Sequence, residues 1–220
     1  MSRRSVACIT GIAGAVAGYW FLARPRHLRW GAADDEVDAP LPGDDLVPNP
    51  HLTATRAIGV RATPSEVWPW IAQMGQGRGG LYSYDALENL VGCDIHSADR
   101  IVPEWQDVAV GDDFRLHPEV PLSVALVEPG RALVIRGAVE MGEDAPAPPY
   151  DFTWAFVLRD RGDGTTRLLV RERYRYTERW APLLVEAVEL VSFVMSQKML
   201  RGIRDRAERG APIPVIEERA

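Results

Sequence analysis

Cysteine is scarce in this 220-residue chain: Cys8 and Cys93 are too few for a disulfide framework, and no C-x-x-C spacing offers a thiolate metal site. Net positive charge is lacking too. Lys and Arg number 25 against 31 Asp and Glu, a net charge of −6, so no global basic field draws nucleic acid. No G-x-S-x-G occurs, which removes the nucleophile elbow of the α/β-hydrolases. The glycine-rich stretch Gly75 to Gly80 is not followed by Lys-Ser or Lys-Thr and follows a helical pattern, so neither a P-loop nor a dinucleotide fingerprint is present. There is no internal repeat, and the one low-complexity interruption is the Ala/Pro run 145–149. What is present, 46% hydrophobic and 25% charged residues, excludes a disordered or collagen-like chain and suffices for one sizeable domain.

The averages conceal a partition. The first 30 residues hold no acid and five arginines, Arg3, Arg4, Arg24, Arg26 and Arg29. Between them, Ser5 to Ala23 is uncharged, and 19 residues at ~1.5 Å each make a helix of roughly 28 Å, about the thickness of a hydrocarbon core. Residues 1–30 therefore read as an N-terminal transmembrane anchor contacting the bilayer through 5–23, and the protein as a single-pass membrane protein. A cleaved signal peptide is the rival reading, since Ala15-Val16-Ala17 has a small-x-small pattern. The cationic flanks nearly balance and slightly favour the domain on the cytoplasmic side. Gly14 and Gly18 form a GxxxG spacing that would let two such helices approach as a weak homodimer. Residues 31–52, with six carboxylates and four prolines, read as an acidic spacer, extended or docked on the domain.

Residues 53–210 read as one domain, with 211–220 as a tail. The alternation of Arg56, Ile58 and Val60 predicts a strand. Thr63, Pro64 and Glu66 supply a helix N-cap, a first-turn proline and a capping-box acid, and Asp85 with Glu88 repeats the box ahead of a second short helix. Period-two alternation then runs through Phe114/Leu116, Leu122/Val124/Leu126 and Leu133/Ile135, with a turn at Glu128 to Arg131. A second hairpin pairs Phe152/Trp154/Phe156/Leu158 with Leu168/Val170/Glu172/Tyr174/Tyr176 across Arg161 to Gly164, leaving Arg167, Arg171, Arg173 and Arg175 as an outward, solvated stripe. A long helix from about Pro182 to Arg209 closes the domain, interrupted in its apolar first part by Glu186 and Glu189.

This order implies an α+β fold in which a curved antiparallel sheet wraps around the long C-terminal helix, an arrangement that tends to leave an internal cavity. The chain here resembles the SRPBCC superfamily (START, Bet v 1 and polyketide cyclase-like helix-grip domains) over roughly 53–210. Thr63 to Trp70 is similar to the superfamily's first-helix start, and the long final helix stands in its usual place. The segments Gln73 to Asp85, Glu88 to Leu90, Asp99 to Trp105 and Val110 to Asp112 resemble a bacterial, often membrane-anchored subgroup without an established activity. The resemblance implies a helix-grip fold and leaves the reaction open, since ligands and chemistries vary widely across the superfamily.

Glu172 is the sharpest site inference. If its alternating neighbours face inward, so does Glu172, and a buried carboxylate must be paired, hydrogen-bonded or protonated. It is either a ligand-orienting or proton-transferring group or a structural acid bonded to Tyr or Arg. His96 and Tyr84 are the other catalytic candidates. Trp70, Tyr82, Tyr84, Trp105, Trp154, Phe156, Glu172 and Tyr174 are the candidate ligand-binding residues. No second well-spaced histidine supports a metal site around His96, and no cofactor is implied. Because no spacing forces two titratable groups to converge, a binding domain for a small hydrophobic or amphipathic ligand, tethered to a membrane, is favoured. A polyketide cyclase/dehydratase-like enzyme is the alternative, and a membrane-side interaction domain the third.

Overall fold

The computed structural model describes residues 18–117, 120–137 and 148–210. Its frame is one six-stranded antiparallel sheet of β1 (Leu52–Val60), β2 (Asp113–His117), β3 (Val120–Glu128), β4 (Ala132–Gly137), β5 (Tyr150–Asp160) and β6 (Thr166–Tyr176), in the order β1-β6-β5-β4-β3-β2. The chain visits β2 to β6 as neighbours and β1 closes against β6, so every pairing except β1–β6 is a sequential hairpin. Ala32 to His51 precedes β1. Helix α3 (Pro64–Ala72) and the short α4 (Asp85–Leu90) lie between β1 and β2, and α5 (Ala181–Gly210) follows β6. The α+β order and the long C-terminal helix agree with the sequence expectation.

Local chemistry accounts for the boundaries. Helix α3 begins as expected, with the Thr63 N–H donating to Glu66 Oε2 (2.7 Å) and Pro64 in its first turn, and Pro69 is accommodated without breaking it. Helix α4 does not follow expectation: Tyr84 occupies its N-cap position, and Asp85 reaches away to accept bonds from the Ser97 N–H (2.7 Å) and hydroxyl (2.6 Å). Side chains at 154, 156 and 158 of β5 and at 168 and 170 of β6 join α3 and α5 in the main core, with Phe114, Leu133, Ile135, Met199, Leu200 and Ile203. Helix α5 can approach because Gly202 has no side chain: a Cβ there would stand 2.3 Å from the Tyr82 carbonyl oxygen.

The opposite face of the sheet is covered by the acidic segment. Leu41, with Ala32 and Leu46 partly, packs on Ala57, Ala132, Val134, Ala155, Val157 and Leu169. Three of the four arginines expected to form a solvated stripe hold this strap instead, and the fourth, Arg175, pairs with Asp151 of β5. Arg171 is 2% exposed and donates to the carbonyls of Glu36, Val37 and Ala39, to Asp44 Oδ2 (2.7 Å) and to Thr55 Oγ1. Arg167 grips Glu36 through two 2.7 Å bonds, and Arg173 reaches the Val47 carbonyl and Asp44. Asp34–Asp38 forms a short helix, α2, with its acids in the first turn.

The expected N-terminal transmembrane helix, and with it the single-pass membrane location, is not supported: among the described residues no helix is long and apolar enough to cross a membrane. Residues 1–17, including Gly14 of the helix-pairing spacing, lie outside the described residues. The end of the expected span, Tyr19–Ala23, makes one π-helical turn and runs directly into α1 (Arg24–Leu28). The arm so formed lies against α5: Arg24 forms a bidentate pair with Glu186 (2.6–3.1 Å), and the ring of buried His27 rests 5.4 Å from that of Phe193.

Strap attachment by Arg171 predicts a contrast. Arg171→Ala strands three carbonyls, leaves Asp44 with Arg173 and the Leu41 N–H alone, and should cost about 2–4 kcal/mol, whereas Arg175→Ala, whose partner is Asp151 in a half-exposed pair, should cost less than about 1 kcal/mol. Thermal unfolding with limited proteolysis of residues 33–47 reads both; equal midpoints for the two variants would contradict the assignment.

Candidate functional site

Sheet register brings four of the expected residues to one face. Trp154 pairs with Glu172, Phe152 with Tyr174 and Phe156 with Val170 across the β5–β6 ladder. Glu172 points inward, as its alternation requires, and is 2% exposed. Its partners were not all visible in sequence. Arg56 on β1, opposite Val170 and diagonal to Glu172, donates from Nη1 to Glu172 Oε1 (2.9 Å). Ser192 of α5 donates to both oxygens (2.8 and 3.0 Å), Ser196 to Oε1 (3.3 Å), and the Tyr174 hydroxyl to Oε2 (3.3 Å).

The same guanidinium holds a second carboxylate. Arg56 Nη2 donates to Glu189 Oε1, and its Nε donates to the His27 carbonyl (3.3 Å), tying the arm to the sheet. Glu189 Oε2 then meets His27 Nδ1 at 2.7 Å. Arg56 and Glu189 are each 1% exposed or less, and His27 is buried. One guanidinium faces two carboxylates, so charge balance in this dry region requires a proton on the Glu189–His27 pair. Burial, reinforced by the Glu172 charge, pushes the Glu189 carboxyl up to about 7 against the pull of Arg56. Burial, and then repulsion by Arg56 and Arg24, pushes the His27 imidazole down. Both directions place the proton on Glu189 near neutrality. The Tyr174 hydroxyl, buried beside Glu172, is held well above its ordinary range and stays a donor.

With its two oxygens spent on four donor side chains, Glu172 acts as a keystone joining β1, β6 and α5. The cluster's missed members were nonetheless marked in the sequence: Arg56 shares the alternation of Ile58 and Val60, and Glu189 interrupts the apolar face of α5.

The remaining expected residues separate. Tyr82 is 1% exposed, pinned by the Gln73 side-chain amide on its hydroxyl (3.0 Å) and by Arg206 over its ring, and Trp70 packs edge-on against it. Trp105 sits in a 3-10 turn whose carbonyl accepts Arg78. Tyr84 is exposed, and His96 pairs with Asp94 (3.2 Å) where both side chains are largely in solvent. The structure therefore joins neither His96 nor Tyr84 to Glu172 by any bond. The loop Gly75–Gly80 closes on itself through two 3.0 Å backbone bonds, and a Cβ would stand 2.7 Å from the Gln73 carbonyl oxygen at Gly79 and 2.8 Å from the Ser97 Cα at Gly80; these two glycines serve close packing. Among the described residues no group of three or more His, Cys, Asp and Glu is placed to hold a metal.

Several buried polar atoms have no hydrogen-bond partner among the described residues, and two of these groups, Trp154 and Glu88, form no ion pair either. Trp154 Nε1, on the inward face beside Phe114 and Phe156, has no hydrogen-bond partner among the described residues, nor has either carboxyl oxygen of Glu88. Glu88 is 6% exposed. Burial and the neighbouring Asp85 push its carboxyl up to about 7, with the Ser83 hydroxyl only partly opposing. Ser83 Oγ donates to the Met195 carbonyl (3.2 Å), laying the chain before α4 against α5. On the Met195 side of α5, at helical spacing, stand Leu184, Val188 and Val191, all exposed, and α4 leaves Leu87, Leu90 and Val91 exposed as well.

No protein-family model and no curated protein matches the chain. Solved structures with similar folds include protein MLL2253 from Mesorhizobium loti, at 15% identity, covering 73% of this chain and all of that one, with a TM-score of 0.42. CalU16 from Micromonospora echinospora is 18% identical, with 71% and 84% covered and a TM-score of 0.34. Hypothetical protein jhp0584 from Helicobacter pylori is 11% identical, with 76% and 95% covered and a TM-score of 0.44. At these values the fold description rests on the strand order and on α5 themselves.

The shared proton sets a pH dependence. A carboxyl raised in the folded state is penalised as pH climbs: the contribution of Glu189 to stability falls between about pH 4.5 and 7 and is flat above. The depressed His27 imidazole acts oppositely, costing stability as pH falls below its unfolded value near 6.5. Glu189→Gln keeps an acceptor for Arg56 and removes the titration. The unfolding midpoint of the variant relative to the parent should therefore rise from pH 5 to 7.5; a constant difference would exclude the proton assignment. Arg56→Met should cost about 3–5 kcal/mol by stranding both acids.

Proposed function

We propose that the chain is a helix-grip domain of the SRPBCC kind that binds a small hydrophobic or amphipathic molecule between the sheet and α5. The observation that carries this reading is the unspent indole N–H of Trp154, buried on the inward face among Phe114, Phe156 and Phe152 while the Met195 flank of α5 leaves Leu184, Val188 and Val191 uncovered. An apolar surface with a few convergent polar groups is the usual make-up of a small-molecule site. Leaving a buried donor unpaired costs about 1–3 kcal/mol, which a ligand acceptor would recover. The clefts near the C-terminal end of α5, about 610 and 540 Å³, are lined largely by charged residues such as Arg61, Arg204, Asp205 and Glu208 and suit no such ligand.

An acid/base enzyme is the second reading, and the residue favouring it is Glu88, whose carboxyl is poised near 7 beside Asp85. Glu172 supports it less, since its oxygens are already bonded. Binding needs no such group and remains the main reading.

Native mass spectrometry of the purified protein should reveal a co-purified molecule of a few hundred daltons, displaced by a hydrophobic dye. Leu184→Asp and Val191→Asp should each weaken dye binding about tenfold or more with little change in melting temperature, because both side chains are exposed. Full dye affinity in both variants would remove α5 from the site.

A further inference from the structure

Helix α4 is built inside out. Leu87 and Leu90 are exposed and so is Val91 just after them, while the two side chains turned toward the protein are Asp85, half-buried, and Glu88, buried. A surface helix ordinarily turns its apolar stripe inward. Asp85 is fully explained by its two bonds to Ser97. Glu88 is not: it is more than nine-tenths buried, and the one hydroxyl near its carboxyl, that of Ser83, donates to the Met195 carbonyl and is at most shared with it. Among the groups that act on its ionisation none is a cation; the principal neighbour is another carboxylate, Asp85. Two further titratable groups lie at the end of α4: the half-buried Cys93 thiol, itself raised by burial and by Glu88, and the His117 imidazole, whose Nε2 would stand 3.5 Å from a Cβ at Gly92.

An acid so placed is unlike the Glu172–Glu189 cluster, where every charge has a built partner. It has no donor of its own and no cation among the groups that act on its ionisation, and it follows the point where the chain leading into α4 meets Met195 of α5, on whose side Val191, Val188 and Leu184 stand at successive turns.

We propose that Glu88 is the polar anchor of the ligand site and that the site selects an amphiphile with a protonated amine head, its apolar body lying along Leu184, Val188 and Val191. This rests on the ligand-binding reading and adds the head-group class. An ammonium supplies up to three donors and the missing charge at once. A carboxylate head would bring a third negative charge beside Asp85 and Glu88 and is rejected. An alcohol, which donates one bond and carries no charge, falls between.

The test uses the whole protein at pH 8 with decylamine, decanol and decanoate, binding followed by calorimetry, for the parent and for Glu88→Gln. The parent should bind decylamine at least tenfold more tightly than decanoate, with decanol intermediate, and Glu88→Gln should collapse that ratio to within about twofold. Because the amide replaces an unpaired acid of the same shape, the variant's melting temperature should not fall; Glu88→Asp, which withdraws the charge by one methylene, should reduce the ratio without abolishing it. Decanoate binding as tightly as decylamine, or a preference surviving in Glu88→Gln, overturns the head-group assignment alone. Failure of all three probes to bind the parent overturns the ligand-binding reading with it.

Discussion

The interior of this protein is organised around one cation. Arg56 stands on an inward position of β1 and has to be neutralised there, because removing an ion from water costs several kcal/mol even after relaxation. Its partners come from three other places in the chain: Glu172 from β6, Glu189 and Ser196 from α5, and the His27 carbonyl from the arm. Apolar packing alone would tolerate small rotations and slides of α5 over the concave face. Bonds of fixed direction to Glu172 and Glu189 do not. The rotation of α5 about its axis, the closure of β1 on β6 and the docking of the arm are thus coupled through a single guanidinium.

That coupling divides the surroundings of α5. One flank, carrying Glu186 and Phe193, is occupied by the arm through Arg24 and His27. Toward the sheet, the helix spends Ser192 and Ser196 on Glu172. The flank that carries Met195 meets the chain before α4 and retains uncovered apolar side chains, with the unspent Glu88 in α4. Rigid charge pairing on two sides gives the third side a fixed backdrop, the condition under which a site can be preorganised instead of moulded by its ligand. The acidic strap adds to this from behind, since it leaves the outer face of the sheet covered and its arginines spoken for.

How much of this the sequence disclosed follows from the range of the physics involved. Period-two alternation is local, so both hairpins, the inward direction of Glu172 and the capping box at Thr63 were legible. Arg56 was legible as an inward residue and illegible as a partner, because the β1–β6 pairing joins positions 116 residues apart. The docking of the strap stays open at the level of sequence for the same reason: six acids and four prolines suit a solvated spacer as well as a docked one, and Arg167, Arg171 and Arg173 resemble a solvated stripe, until the two are placed face to face. The uncharged run ending at Ala23 met every local criterion for a span, yet its described end bends into a helix tied to Glu186 and Glu189. Trp70 and Tyr82 were selected for chemistry their side chains could perform, while tight packing around Gly79 and Gly202 gives Tyr82 a structural role.

The inverted helix α4 is the place where local and global logic disagree most, and the disagreement has a direction. Exposing Leu87, Leu90 and Val91 forgoes burial worth about 1.5–3 kcal/mol for each leucine or valine, and burying Glu88 without donors adds a further cost. Rotating a six-residue helix by half a turn would recover both, but it would break the Asp85–Ser97 bonds and the paired bonds of Asn89 with the Ile95 backbone (2.6 and 2.8 Å). Together these four side-chain bonds stabilise by an amount comparable with the apolar burial forgone, so polar bonding sets the orientation of α4. Local rules are broken in this manner chiefly where a protein meets its ligands, and α4 breaks two of them at the edge of an apolar surface left uncovered on α5.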